Sequence, residues 1–188
     1  MNTEQHDLHN EVLQAVEECS GKFFFLDAPG GTGKTFLAKA LINSVHARGE
    51  IVCPAAFSGI AALLLPYGKT AHSTFKIPCK GLNSESTCPV SKQTALAKVL
   101  KQAVLIILDE ASMMHRHALE AVDRLLRDLR YQRKLFGGCV VFAMGDFRQT
   151  LPIVPRGSRA QIVKATLQKS YLWDDVIQKT LATNMRVE

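Results

Sequence analysis

Several common features are missing from this sequence, and each absence removes a class of function. Its five cysteines, Cys19, Cys53, Cys79, Cys88 and Cys139, are an odd number at irregular spacing, with no C-x-x-C pair. That excludes a disulfide scaffold and leaves reduced, mostly buried thiols of an intracellular protein as the expectation. A zinc set drawn from Cys79, Cys88, His115 and His117 fits no ligand-spacing template. No apolar run approaches the roughly 20 residues of a membrane-spanning helix, and the run 103–108 falls far short of it. The opening residues 1–7 carry acids and no apolar stretch, which is not the pattern of a signal peptide. There is no internal repeat and no low-complexity tract. Acidic residues are outnumbered, 17 against 23 Lys and Arg, for a net charge of +6, a balance that suits a polyanionic partner.

What remains is the composition of a globular protein: 47% hydrophobic and 21% charged over 188 residues, enough to bury one sizeable core. The most informative stretch is Asp27-Ala28-Pro29-Gly30-Gly31-Thr32-Gly33-Lys34-Thr35. It follows the apolar run Phe23-Phe24-Phe25-Leu26 and leads into a segment of helical spacing. Strand, glycine-rich turn and helix in that order form a phosphate-binding loop. The glycines let backbone N–H groups converge on an anion, and the helix N-terminus adds its positive end. Lys34 is expected on the β- and γ-phosphates and the Thr35 hydroxyl on magnesium. The usual pattern has a glycine where this chain has Ala28; Gly30, Gly31 and Gly33 keep the turn flexible.

Strands and helices alternate along the chain, which predicts an α/β fold, a doubly wound, mostly parallel sheet flanked by helices with its ligand at the strand C-termini. The spacing predicts a helix over 3–19 capped by Thr3, strands at 23–27 and from 51, and a short helix over 58–65. Residues 76–91, rich in Pro, Gly, Asn and Ser, read as a flexible insert. A helix over 91–101 precedes the continuous apolar strand 104–108. The helix 115–130 carries Leu119, Val122, Leu125, Leu126 and Leu129 on one face, with Arg124, Arg127 and Arg130 on a solvated one. A strand over 139–144 follows Gly137-Gly138.

Two strand tips carry further chemistry. Leu105-Ile106-Ile107-Leu108 ends in Asp109 and Glu110. On a strand neighbouring the phosphate loop, Asp109 would hold the magnesium of a nucleotide and Glu110 would polarise the attacking water. Val140-Val141-Phe142-Ala143-Met144 ends in Gly145-Asp146-Phe147-Arg148-Gln149, where Gln149 is placed to bond the γ-phosphate or that water. From spacing alone, Arg186 is a surface charge.

Together these blocks resemble the Pif-one-like DNA helicases of helicase superfamily one, including versions carried by rolling-circle transposons. The resemblance rests on Ala28–Thr35, Pro54–Ala62, Gly68–Phe75, Asp109–Met114, Gly145–Pro152 and Trp173 with Leu181–Arg186, in family order over nearly the whole chain. It implies the RecA-like first motor domain of an ATP-dependent helicase, with ATP and magnesium as cofactors and single-stranded DNA as partner. Polarity would be 5′ to 3′. By the same resemblance Gln5 would read adenine, Arg186 would sit on the γ-phosphate, and the segments holding Phe57, Ser58, Gly59 and Thr70, His72, Ser73, Phe75 would contact the strand. Backbone N–H groups and hydroxyls suit phosphates, and the rings suit base stacking; core positions for Phe57 and Phe75 fit the pattern equally well. A second motor domain would supply the other wall of the ATP site, so the chain reads as a fragment of a longer product or as a remnant. A nucleotide- and strand-binding module without turnover, and an unrelated P-loop kinase or remodelling ATPase, are the competing readings.

Overall fold

A computed structural model of the chain describes residues 1–155 and 157–183. Helix α1 (Thr3–Glu17) is followed by β1 (Phe23–Asp27), α2 (Lys34–Ala47), β2 (Ile51–Ala56), α3 (Gly59–Leu64), β3 (Lys69–Thr70) and α4 (Ala71–Phe75). Then come α5 (Ala95–Gln102), β4 (Ala103–Asp109), α6 (Arg116–Arg130), β5 (Val140–Gly145), α7 (Arg159–Ala165) and β6 (Val176–Thr180). The described strands form one parallel sheet in the order β3-β2-β4-β5-β1-β6.

Alternation along the central strands explains the layering. Phe24 and Leu26 of β1, Leu105 and Ile107 of β4, and Val140, Phe142 and Met144 of β5 face α1 and α2. Phe23, Phe25, Ile106, Leu108, Val141 and Ala143 face the opposite way, onto α6 and the segments beside it. Both faces of the sheet are covered, which is why these strands read as unbroken apolar runs rather than alternating ones.

Several local expectations change. Asn2, not Thr3, caps α1: its side chain accepts from the Gln5 amide at 2.9 Å while the Gln5 side chain accepts from Asn2 N at 3.2 Å, a reciprocal capping box. The helix expected over 91–101 begins at Ala95 behind a Thr94 cap. Two edge strands, β3 and β6, carry no strong sequence signal, because one is two residues long and the other is half-exposed. Residues 76–91 contain no helix or strand, yet Ile77 and Cys88 are buried in the α6-side core.

The arginine face of α6 is not a solvated one. Arg124 donates to the carbonyl of Ser86, Arg127 to Asp123 and to the carbonyl of Arg133, and Arg130 to the carbonyls of Gly137 and Ala103 at 2.8 and 2.6 Å. Long stems along the helix carry the guanidinium groups to carbonyls that the loops leave open. Among the described residues no helix is long and apolar enough to cross a membrane.

Candidate nucleotide site

The loop after β1 takes its shape from two left-handed residues, Gly31 at φ 88° and Gly33 at φ 85°. A Cβ is disfavoured at both. Position 28 is different: its φ is not positive, its N–H donates to the carbonyl of Gly145 at 3.1 Å, and its methyl is fully buried. Alanine is accommodated there because neither backbone strain nor close approach demands glycine. The Thr32 hydroxyl donates to the carbonyl of Pro29 at 2.9 Å and closes the loop.

Lys34 opens α2 and turns its ammonium back onto the loop, donating to the carbonyls of Ala28 and Pro29 at 2.5 and 2.9 Å. Burial pushes its pKa below the ordinary lysine value, and the carboxylates of Asp109, Asp146 and Asp27 oppose that shift. Lys34 is thus half-buried near three carboxylates and has lost part of its hydration.

A cavity of about 500 Å³ lies over this loop, and Gly30, Lys34, Thr35, Asp109, Glu110 and Gln149 all line it. Asp109 and Glu110 do not sit on the strand next to the loop. β5 lies between β1 and β4, so the tip of β5, with Asp146, stands between the phosphate loop and the two carboxylates. Asp109 is nearly buried and accepts from Glu110 N–H at 2.8 Å. Burial raises its pKa first, with the Glu110 charge adding to the shift, while that N–H and Lys34 oppose it.

Glu110 holds a left-handed backbone, φ 54° and ψ 32°, and its Oε2 is buried without a hydrogen-bond partner. A non-glycine residue there costs roughly 1–2 kcal/mol, and an unpartnered carboxylate oxygen costs more. Both costs fall on one residue in a polar cavity, the pattern of a functional position. The orphaned Glu110 oxygen, the nearly buried Asp109 and the Lys34 ammonium around one cavity suit a magnesium-bound polyphosphate.

Gln149 stands opposite: a Cβ built on Gly30 would lie 3.8 Å from its Nε2. Its turn is closed by N–H bonds from Gln149 and Thr150 to the carbonyl of Asp146, both 3.2 Å. The Thr150 hydroxyl meets that of Ser112 at 2.8 Å. Gly145 must lack a side chain here, since a Cβ would fall 2.8 Å from the Ser112 hydroxyl.

Sequence reasoning passed over two parts of this site. Asp146 is nearly buried at the pocket floor, and its position at a strand tip, like that of Asp109, was the available signal. Phe36, Ile60 and Leu64 form an apolar rim and are each more than half exposed. Ile60 and Leu64 lie on α3, too short to show a periodicity, and Phe36 lies off the buried face of α2.

Gln5, the expected adenine reader, is engaged within the fold. It is 1% exposed, its Nε2 donates to the carbonyl of Thr32 at 3.0 Å, and its Oε1 is engaged in the α1 capping box. Its amide therefore ties α1 to the phosphate loop. Arg186 lies outside the described residues.

The expected strand contacts divide. Phe75 is fully buried in the α6-side core, so its ring is not available to a base. Phe57 and His72 stay half-buried, meet edge to face at 5.7 Å, and line a second groove with Met113, His115 and Ile153. Burial lowers the pKa of His72. Ser58 and Thr70 cap α3 and α4, accepting from Ala61 and Ser73 N–H groups, both at 3.2 Å. Gly59 and Ser73 are exposed beside them. No group of three or more His, Cys, Asp or Glu side chains converges as a metal site among the described residues.

The chain matches the family model described as PIF1-like helicase over residues 1–188. It is 33% identical over 154 residues to the ATP-dependent DNA helicase Pif1 of Psychrobacter sp. (strain PRwf-1), covering 81% of this chain and 23% of that protein. It is 32% identical over 154 residues to the human ATP-dependent DNA helicase PIF1, covering 79% and 22%. Among solved structures, the Pif1 helicase from Candida albicans superposes with a TM-score of 0.77 at 26% identity, over 96% of this chain and 39% of that one. The Bacteroides Pif1 helicase, solved in complex with ADP-AlF3 and single-stranded DNA, shares the fold with a TM-score of 0.79 at 24% identity, over 95% and 42%. The chain thus spans roughly a fifth to a quarter of these two sequence relatives.

Proposed function

The chain belongs to the PIF1-like helicase family, and from that premise we propose that it acts as the first motor domain of an ATP-dependent DNA helicase. The reaction is hydrolysis of ATP coupled to movement along single-stranded DNA, 5′ to 3′ by family resemblance. One observation carries this reading: Lys34, Asp109, Glu110 and Gln149, from three strand tips, line one cavity in which Glu110 holds a buried, unpartnered oxygen.

In the proposed mechanism the loop N–H groups and Lys34 bind the phosphates, and Lys34 exchanges its bonds to the Ala28 and Pro29 carbonyls for phosphate oxygens. Thr35 and Asp109 would hold magnesium, which when bound neutralises charge on the transferring phosphoryl group. Glu110 Oε2 accepts a proton from the attacking water, and Gln149 orients that water or the γ-phosphate. Arg186 is assigned to the γ-phosphate on resemblance alone. Ser58, Gly59, Thr70 and Ser73 offer N–H and hydroxyl groups to strand phosphates, and Phe57 and His72 offer ring edges to bases. The net charge of +6 favours that partner. By family resemblance a second motor domain would close on the apolar rim of Phe36, Ile60 and Leu64.

The test is phosphate release by the 188-residue chain, with and without single-stranded DNA, beside a Lys34→Ala control. DNA-stimulated turnover that the control abolishes supports the motor. ATP binding without any stimulated turnover would reduce the chain to a nucleotide- and strand-binding module.

A further inference from the structure

The Gln149 turn is braced from a direction that the nucleotide chemistry does not explain. Phe147, two residues before Gln149, stacks on Phe25 of β1 with ring centres 4.7 Å apart and planes within 17°. Trp173 closes the cluster, 5.6 Å from Phe147 and 5.2 Å from Phe25, edge-on to both. It is the only tryptophan in the chain. Offset and edge-on pairs of this kind are each worth a modest amount beyond simple burial and favour one ring orientation.

Trp173 is itself held from behind. Just before it, the Ser170 hydroxyl donates to Glu120 Oε1 and the Tyr171 hydroxyl to Asp123 Oδ2, at 2.8 and 2.9 Å, both acceptors being buried on α6. Just after it, β6 pairs with β1. The backbone around Trp173 is thus pinned on both sides, while Phe147 N–H is tied to Asp27 Oδ1 by one 3.3 Å bond. None of Phe25, Phe147 and Trp173 lines the nucleotide cavity, and the Gln149 turn is the cavity-lining segment next to Phe147 in the chain.

We propose that Trp173 is a positioning residue: through Phe147 it fixes the turn that presents Gln149 to the phosphate loop. The segment pinned on α6 then sets how Gln149 meets the γ-phosphate. This rests on the ATPase reading above.

The experiment uses the 188-residue chain, with ATP affinity, phosphate release and Trp173 emission measured separately. Trp173→Ala should keep ATP affinity within about twofold and lower DNA-stimulated turnover at least tenfold. Trp173→Phe should recover most of it, and adding Trp173→Ala to Gln149→Ala should cost nothing more. Turnover of Trp173→Ala within threefold of the unmodified chain, or parallel losses of ATP binding and turnover that Phe does not rescue, would overturn the proposal.

The emission arm needs no turnover. A non-hydrolysable ATP analogue should change Trp173 emission in the unmodified chain, and the change should vanish in Gln149→Ala at analogue concentrations that a direct binding measurement shows to saturate that variant. Emission indifferent to bound analogue, or the same change in both proteins, overturns the positioning role. Absence of turnover in the unmodified chain with DNA present would sink the motor reading, and the emission result would still decide this one.

Discussion

Two pairs of acidic residues lie on the same side of the chain's chemistry and could hardly be treated more differently by the fold. Glu120 and Asp123 are buried inside a regular helix, and every carboxylate oxygen has a partner. Glu120 meets His117 and Ser170; Asp123 meets Arg127, Tyr171 and the N–H of Phe136. Burial, followed by the Asp123 charge, pushes the Tyr171 phenol up to about 12, so it remains a donor. Asp109 and Glu110 stand at a strand tip with one bond between them, and Glu110 keeps a strained backbone and an orphaned oxygen. Buried carboxylates that are fully bonded hold a structure together. Those left incomplete are poised for something that arrives.

Substitutions should separate the two pairs along that line. Glu110→Gln is expected to lower DNA-stimulated ATP turnover by about 10²- to 10⁴-fold, the usual worth of a positioned general base, with a melting temperature no lower than that of the parent. A clear loss of stability in that variant would erase the contrast. Asp123→Ala should do the reverse, costing about 3–5 kcal/mol because Arg127, Tyr171 and the Phe136 N–H lose a shared buried acceptor. Chemical denaturation measures it, and a loss under about 1 kcal/mol would mean that the network contributes little.

A smaller effect tests the tie between α1 and the loop. Gln5→Ala removes the buried hydrogen bond to Thr32 O, worth about 1 kcal/mol, together with its half of the α1 capping box, and should weaken ATP and GTP binding by the same factor of about five. Selective loss of ATP binding would restore adenine reading to Gln5. The smallest effect concerns thiols. Burial raises Cys53 and Cys88 to about 11 and Cys139 to about 12, while Cys19 and Cys79 are exposed. In the folded chain at pH 8 a thiol reagent should modify two cysteines quickly and three only on unfolding; fast modification of a third would show that the sheet opens locally.

Much of this was legible in one dimension, for reasons tied to particular residues. β1, β4 and β5 announce themselves because strands covered on both faces are continuously apolar, and each leads into residues that line the cavity. The left-handed loop is legible in Gly31 and Gly33. Helix α6 was legible as a helix, but its arginines and acids were not assignable. Whether Arg130 meets water or the carbonyls of Ala103 and Gly137 depends on loops that approach from elsewhere in the chain. Glu120 and Asp123 look like an ordinary polar face until residues 170 and 171 return to cover them. Phe57 and Phe75 have the same side-chain chemistry, yet one lines a groove and the other is sealed in the core.

By itself, then, the sequence determined the order of strand, loop and helix, the phosphate-binding chemistry and the family, because these depend on local spacing and residue type. Only the tertiary structure decided which strand separates Lys34 from Asp109, that Gln5 bonds the loop, which aromatics are free, and that Trp173 packs on Phe147. Each of those depends on burial and on partners far along the chain, and burial is a property of the packed whole that no local window contains.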